Sequence, residues 1–302
     1  SVLAWLKAAP PGETRRVQDH VLWAEWSAYH LRAAAAYVAQ LRALAAREAG
    51  REVPVSANAG LLWPNHLATY RALDFFSAEI EHGAASLGPT DRPLFAYRMA
   101  DAMGRPLAAT ASGQDWAFVK ERGCPGLVRG WVAASYAAGH SLMAPHRQWC
   151  HTAEKGTHWY DGPREAYAPL YRFVRENDAL LDGLEAWAEV GLVMPHHAFV
   201  ADRERWIGMG EALAAAGVPY RLVIGGDDVV DRSIERRDLA GLRVLLDPAG
   251  EDLLAADRAT IEAADPSTRH VTTVGEAIAL ARTVAAIEGE TPVRVLPRVG
   301  PG

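Results

Sequence analysis

The feature that most restricts this chain is a repeated alternation of short apolar runs with helix-length segments. Four runs in its first half each end in polar and aromatic residues: VPVSAN at Asn58, LDFFSAEIEH at His82, RPLAATASGQDW at Trp116 and HSLMAPHRQW at Trp149. Strand, helix, strand at this spacing implies parallel β/α units joined by right-handed crossovers. In such a sheet the strand centres are buried and the chemistry gathers at the C-terminal strand ends.

The segments between the runs read as helices. An Ala-rich stretch without proline predicts one long helix over about Thr14 to Gly50, closed by Gly50. Further helices are expected over Trp63 to Leu73, Arg92 to Met103, Gly126 to Ala138 and Arg164 to Gly183. Strands are expected at Asp74 to His82, Pro106 to Ala111 and Ser141 to Pro145, after a first strand that carries Pro54 near its edge. These make four β/α units, whereas a closed barrel takes eight strands and about 250 residues. The expectation is the C-terminal half of a (β/α)8 TIM barrel over residues 1–183, its first four strands lying before Ser1. The alternative is a complete open four-stranded sheet.

From Ala188 the alternation restarts in a flavodoxin-like α/β style. Strands are expected at EVGLVMP, at VPYRLVIGG and from Leu242 to Pro248, with a fourth near Arg269 to Thr272. Helices are expected over Arg203 to Gly217, Glu251 to Ala264 and Val274 to Ile287. Residues 184–290 are read as this second domain. Residues 291–302, with PVRVLPR, are read as the start of a further strand or domain that stops without a partner.

Composition excludes several function classes. The 302 residues carry a net charge of −6 and no basic patch, which argues against a nucleic-acid partner. No apolar stretch reaches ~18 residues, so no membrane span is expected. The opening SVLAWLKAAPPGETRR is too short in its apolar part and wrongly flanked for a signal peptide, which favours the cytoplasm. Two cysteines, Cys124 and Cys150, make neither a disulfide framework nor a zinc site. His196 and His197 are adjacent and lack a third ligand at metal spacing. No G-x-G-x-x-G follows a strand, and the second domain has no Cys for amidotransferase chemistry. No cofactor or metal is therefore expected.

The candidate site is a saccharide rim. Glu79 and Glu81 stand two apart on a strand and so share a face. Two unpaired carboxylates are costly to bury against helices, which assigns them to the lumen, with Glu81 nearer its mouth. Glycoside hydrolysis takes two carboxyl groups, ~5–5.5 Å apart for retention and ~6.5–9.5 Å for inversion. Glu81 or Glu79 is expected to supply one, or else both bind sugar hydroxyls or an arginine. Asp115 is a third catalytic candidate, in competition with a helix-capping role. Sugar contacts are expected from Asn58, Trp63, His82, Gln114 and Trp116, with His146, Arg147 and Trp149 after the last strand. Ten tryptophans suit stacking on sugar faces, although core packing is their ordinary use.

The order PVSAN, DFFSAEIEH, ASGQDW, CPGLVRGW (Cys124 to Trp131) and RQWCHTAEKG (Arg147 to Gly156) is similar to the second half of the barrel in glycoside hydrolase family 42 β-galactosidases. The following α/β unit resembles that family's trimerisation domain, with its amidotransferase-like fold, and the similarity covers about residues 15 to 290. The resemblance implies a hydrolase of glycosidic bonds, a carbohydrate substrate and a homo-oligomer, with a trimer possible. It implies substrate-binding roles for Glu154, His158 and Trp116. Its acid/base Glu would lie before Ser1, and the position of its nucleophile, counted back from Trp116, is Ala108. Glu81 stands where the family has a Tyr. The alternative of another class is an inactive carbohydrate-binding or scaffold protein on the same fold.

Overall fold

The computed structural model describes residues 2–16, 20–58, 62–86, 91–145, 162–181, 183–248, 250, 252–281 and 298–299. It is a mixed α/β structure built on parallel sheets. The first region runs α1 (Val2–Lys7), α2 (Trp23–Ala49), a 3-10 helix (Pro64–Ala72), β1 (Phe76–Ile80), α3 (Arg92–Ala102), β2 (Leu107–Ala111), α4 (Gly113–Arg122), α5 (Pro125–Ala137), β3 (Ser141–Leu142) and α6 (Arg164–Glu176). The second runs β4 (Glu185–Ala186), β5 (Val190–Pro195), α7 (His196–Ala201), α8 (Arg203–Ala215), β6 (Tyr220–Gly225), α9 (Arg236–Leu239), β7 (Val244–Leu246), α10 (Ala255–Glu262), β8 (Arg269–Val271), α11 (Val274–Leu280) and β9 (Arg298–Val299).

The first sheet has the order β1-β2-β3, all parallel, so each strand pairs with the next in sequence. The expected first strand is reduced to one parallel bridge, Asn58 to Ser77. Pro54 has no N–H to give, and Val55 instead pairs with Asp74: its N–H donates to Asp74 Oδ2 at 2.8 Å and its carbonyl accepts the Asp74 N–H at 2.9 Å. No closed barrel is formed among the described residues.

Burial alternates along this sheet. Phe76, Ala78, Ile80, Leu107, Ala109, Ala111 and Leu142 are buried on one face; Ser77, Glu79, Ala108, Thr110 and Ser141 remain partly or fully exposed on the other. The second sheet has the order β6-β5-β7-β8, also all parallel, with its order reversing between β5 and β7. Here β5 and β7 are buried throughout.

The two sheets share a continuous core through α3, where Pro93 and every residue from Phe95 to Ala100 are buried. A helix buried on all sides belongs between layers, and its one charged buried residue, Arg98, is paired with Asp101. Gly210 permits this packing: a Cβ there would stand 2.5 Å from Phe95 Cδ2 and 2.7 Å from the Tyr220 hydroxyl.

Several expected elements are corrected. The long helix begins at Trp23, after a turn in which the Trp23 N–H donates to the His20 carbonyl, and ends as expected on Gly50 in the left-handed region. The segment after Trp63 is a 3-10 helix, not an α-helix. Residues Gln114 to Trp116 are not a strand exit but the first turn of α4, begun by Ser112 in a capping box with Asp115. The chain's last described strand does have a partner, since β9 pairs antiparallel with β4.

Candidate functional site

The C-terminal ends of the first sheet form the candidate rim. Glu79 lies opposite Thr110 on the open face, two residues beyond Ser77, which pairs with Asn58. Glu79, Glu81 and Asn58 are all exposed.

From Arg92 a chain of charged side chains crosses to the second region. Arg92, in the first turn of α3, feels the Glu81 charge and forms a fork with Glu204: Nη1 donates to Oε2 at 3.0 Å and Nη2 to Oε1 at 2.9 Å. The hydrogen bond to Glu204 raises the Arg92 pKa and lowers that of Glu204. Arg203, beside it at the start of α8, donates to the same Glu204 through Nε at 3.0 Å and approaches it through Nη2 at 2.8 Å. The Arg203 guanidinium lies 4.3 Å over the Trp63 ring, and Trp63 is 60% exposed. One residue expected at the rim, Trp63, is therefore joined to Arg92 through Arg203 and Glu204, while Glu81 contributes only its charge to the field at Arg92. Sequence reasoning missed those three because the link is tertiary: α8 follows a strand of the other sheet. The only local signal was an arginine at a helix start after a strand.

Other expected contacts are withdrawn from the rim by burial. Trp116 is fully buried among Ala111, Val119, Val128, Val132, Leu142 and Tyr167, its indole N–H donating to Thr110 Oγ1 at 3.3 Å. It is a core residue, not a stacking surface. Asp115 is buried with both oxygens engaged: Oδ2 accepts from the His82 N–H at 2.8 Å and Ser112 Oγ at 2.7 Å, and Oδ1 from the Ala84 N–H at 2.8 Å. Its geometry is that of a cap and a loop clamp, which corrects the catalytic reading.

His82 is likewise buried, with Nδ1–H donating to the Ile80 carbonyl at 2.8 Å and its ring 4.7 Å from that of Trp131. Burial pushes the imidazole below its ordinary range, against the opposing pull of the Ile80 carbonyl and the Asp115 charge. Gln114 is exposed on α4. The expected contacts His146, Arg147, Trp149, Glu154 and His158 lie outside the described residues.

A cavity of about 490 Å³ opens at the opposite, N-terminal end of the same sheet, lined by Asp74, Phe75, Pro106, Tyr136, His140 and Leu181 among others. Its Asp74 and His140 are already employed. Asp74 holds Arg42 and the Val55 N–H, while His140 takes the Leu107 N–H at 3.1 Å and faces Asp101. That end of a parallel sheet serves stability rather than chemistry.

In the second region His196 is buried and bonded through Nδ1 to Asp227 Oδ2 at 2.6 Å, while His197 is exposed. Burial pushes the Asp227 carboxyl up, but His196 and the Val230 and Val229 N–H groups outweigh it and hold it at about 2. Among the described residues no three His, Cys, Asp or Glu side chains converge as a metal would require. Also among them, no helix is long and apolar enough to cross a membrane.

No protein-family model and no curated protein matches the chain. Among solved structures it is similar to the α-L-fucosidase isoenzyme 2 from Paenibacillus thiaminolyticus, with a TM-score of 0.51 and 15% identity over 87% of this chain and 37% of that one. The chain thus spans little more than a third of the length of the structure it matches. At that identity the likeness is one of fold alone, a mixed α/β architecture built on parallel sheets.

Proposed function

We propose that the chain is part of a glycoside hydrolase that cleaves an O-glycosidic bond with carboxylates on the open face of a (β/α)8 barrel. In this reading residues 1–183 belong to the barrel, 184–290 form a flavodoxin-like domain that promotes a homo-oligomer, and 291–302 begin a further element. The observation that carries the proposal is the placement of Glu79 and Glu81 on the exposed face of a sequentially ordered parallel sheet, with Glu81 at its C-terminal rim.

Two surfaces support the barrel. One is that open sheet face. The other is the outer side of α2, where Trp26, Tyr29, Tyr37, Leu41 and Leu44 are 41–64% exposed. Further β/α units beyond Asn58 would cover both, and apolar stripes of this size mark places where something packs. The fucosidase to which the chain is similar is itself a glycoside hydrolase, which agrees with a carbohydrate substrate.

In the mechanism Glu81 supplies one of the two carboxyl groups and Glu79 steadies sugar hydroxyls or substitutes for it. The test is release of 4-nitrophenol from aryl α-L-fucosides and aryl β-D-galactosides. Glu81→Gln should abolish turnover with the fold intact by circular dichroism; an unchanged kcat overturns the assignment.

A second reading, an inactive carbohydrate-binding protein, is favoured by one observation. The position that would carry the nucleophile under the family 42 resemblance is Ala108, and β2 has no carboxylate. Sugar binding without release of nitrophenol from any aryl glycoside would decide for it.

A further inference from the structure

The frame from Arg92 to Trp63 is more constrained than a surface contact needs to be. Fixing long side chains costs about 1–2 kcal/mol each in rotamer freedom, and exposed ion pairs return ~1 kcal/mol or less. Yet two arginines from different helices converge on one carboxylate, and the second guanidinium stands 4.3 Å over an indole. An interface staple would bury that indole. Here it is 60% exposed, so Arg203 braces one face and leaves ring surface open to solvent at the rim.

We propose that Trp63, held by Arg203, is a stacking platform for a neutral pyranose, and that α8 of the second region builds it. The claim rests on the carbohydrate reading above and adds the residues, the ligand's charge class and a role for the second region. The charge class follows from the neighbours. Arg92 and Arg203 share Glu204, which leaves one net positive charge, and exposed Glu79 and Glu81 more than offset it. A sugar acid or sugar phosphate would meet an overall negative rim. A neutral ring can lay its C–H face on the indole while Glu81 accepts from its hydroxyls.

The experiment follows the Trp63 indole N–H resonance, identified by its disappearance in Trp63→Phe, during titration with D-galactose, D-glucose, L-fucose and D-xylose, and with D-galacturonate as the charged counterpart. At least one neutral sugar should shift the resonance saturably, and galacturonate should bind at least several-fold more weakly. Arg203→Met, which keeps the aliphatic stem, should weaken that sugar about two- to fivefold, the equivalent of one exposed cation–π contact. Its melting temperature should hardly change. Trp63→Ala, which lacks the reporting resonance, should show no binding of that sugar by isothermal titration calorimetry.

A resonance unmoved by all four neutral sugars overturns the platform, as does equal or tighter galacturonate binding. The outcome is separable from the hydrolase reading. A responsive Trp63 without turnover keeps the platform and removes the enzyme, whereas turnover with a silent Trp63 does the reverse.

Discussion

The two parallel sheets of this protein are made differently, and the difference decides which of them keeps an open face. In the second, β5 reads VGLVMP and β7 reads VLL, and all of these residues are buried because helices cover both faces. In the first, β1 reads FSAEI and β2 reads LAATA, with every second residue left partly or fully exposed. A parallel strand that alternates has one face kept from the core. That face carries Glu79 and, just past the strand, Glu81, while β5 and β7 have both faces covered.

If the covered faces are core, their large side chains should dominate stability. Trp116, on the covered side of the first sheet, and Trp206, on α8 of the second, are both fully buried. Replacing either by Ala should cost about 3–5 kcal/mol, read as a drop in the urea midpoint. A small cost at Trp116 together with lost sugar binding would break the comparison, because it would place that ring on the open face.

Next in size is the clamp at Asp115. Asp115→Ala removes the reciprocal half of the α4 capping box, leaving the Ser112 cap, and strands the His82 and Ala84 N–H groups inside, a loss of about 2–3 kcal/mol. Asp115→Asn should recover part of it, because the amide oxygen still accepts while its NH2 cannot. Loss of turnover with stability unchanged would instead return Asp115 to the catalytic list.

How much of this was legible in the sequence follows from which interactions are local. The β/α alternation, the Gly50 stop and the strand centres rest on periodicity and caps, and they were readable. Ser112 and Asp115 also carried a local signal, S-x-x-D ahead of an apolar run. Following the apolar run through to Trp116 as a strand exit passed over it, and the error moved three residues from a helix start to the rim. The reduced first strand was harder to foresee. Asp74 takes the Val55 N–H, a side chain standing in for a ladder that the sequence pattern suggested. The Arg92-to-Trp63 frame was not legible, because Arg203 and Glu204 reach it only when α3 packs against α8.

The two regions should also differ in their response to acid. His82 is held neutral by burial, its pKa below the ordinary 6.5, so its contribution is complete above that pH and declines as pH falls. Asp227 is depressed from 3.8 to about 2, so its contribution is complete above about pH 4 and is lost as pH falls through 2. That shift corresponds to about 2 kcal/mol. Urea midpoints measured against pH should therefore lose a first increment below about pH 6.5, absent in His82→Asn, and a second below about pH 4, to which the depressed Asp101 and Glu204 also contribute and which is reduced in Asp227→Asn. Should both variants flatten the same part of the curve, the regions would not be titrating separately.

The smallest effect is the most discriminating one for the open face. Glu79 is exposed, and its strand neighbours Ala78 and Ile80 point into the core. Glu79→Gln keeps the shape and removes the charge, so stability should stay within about 0.5 kcal/mol of the parent. The matched change on the other face, Ala78→Gln, must place an amide where the side chain is now 2% exposed, against Phe95 and its neighbours. That variant should fail to fold or lose several kcal/mol, through overpacking and an amide without partners. Measured together, the pair asks whether the first sheet has one covered side. Similar costs at 78 and 79 would mean that both faces are packed, and Glu79 could then face no substrate.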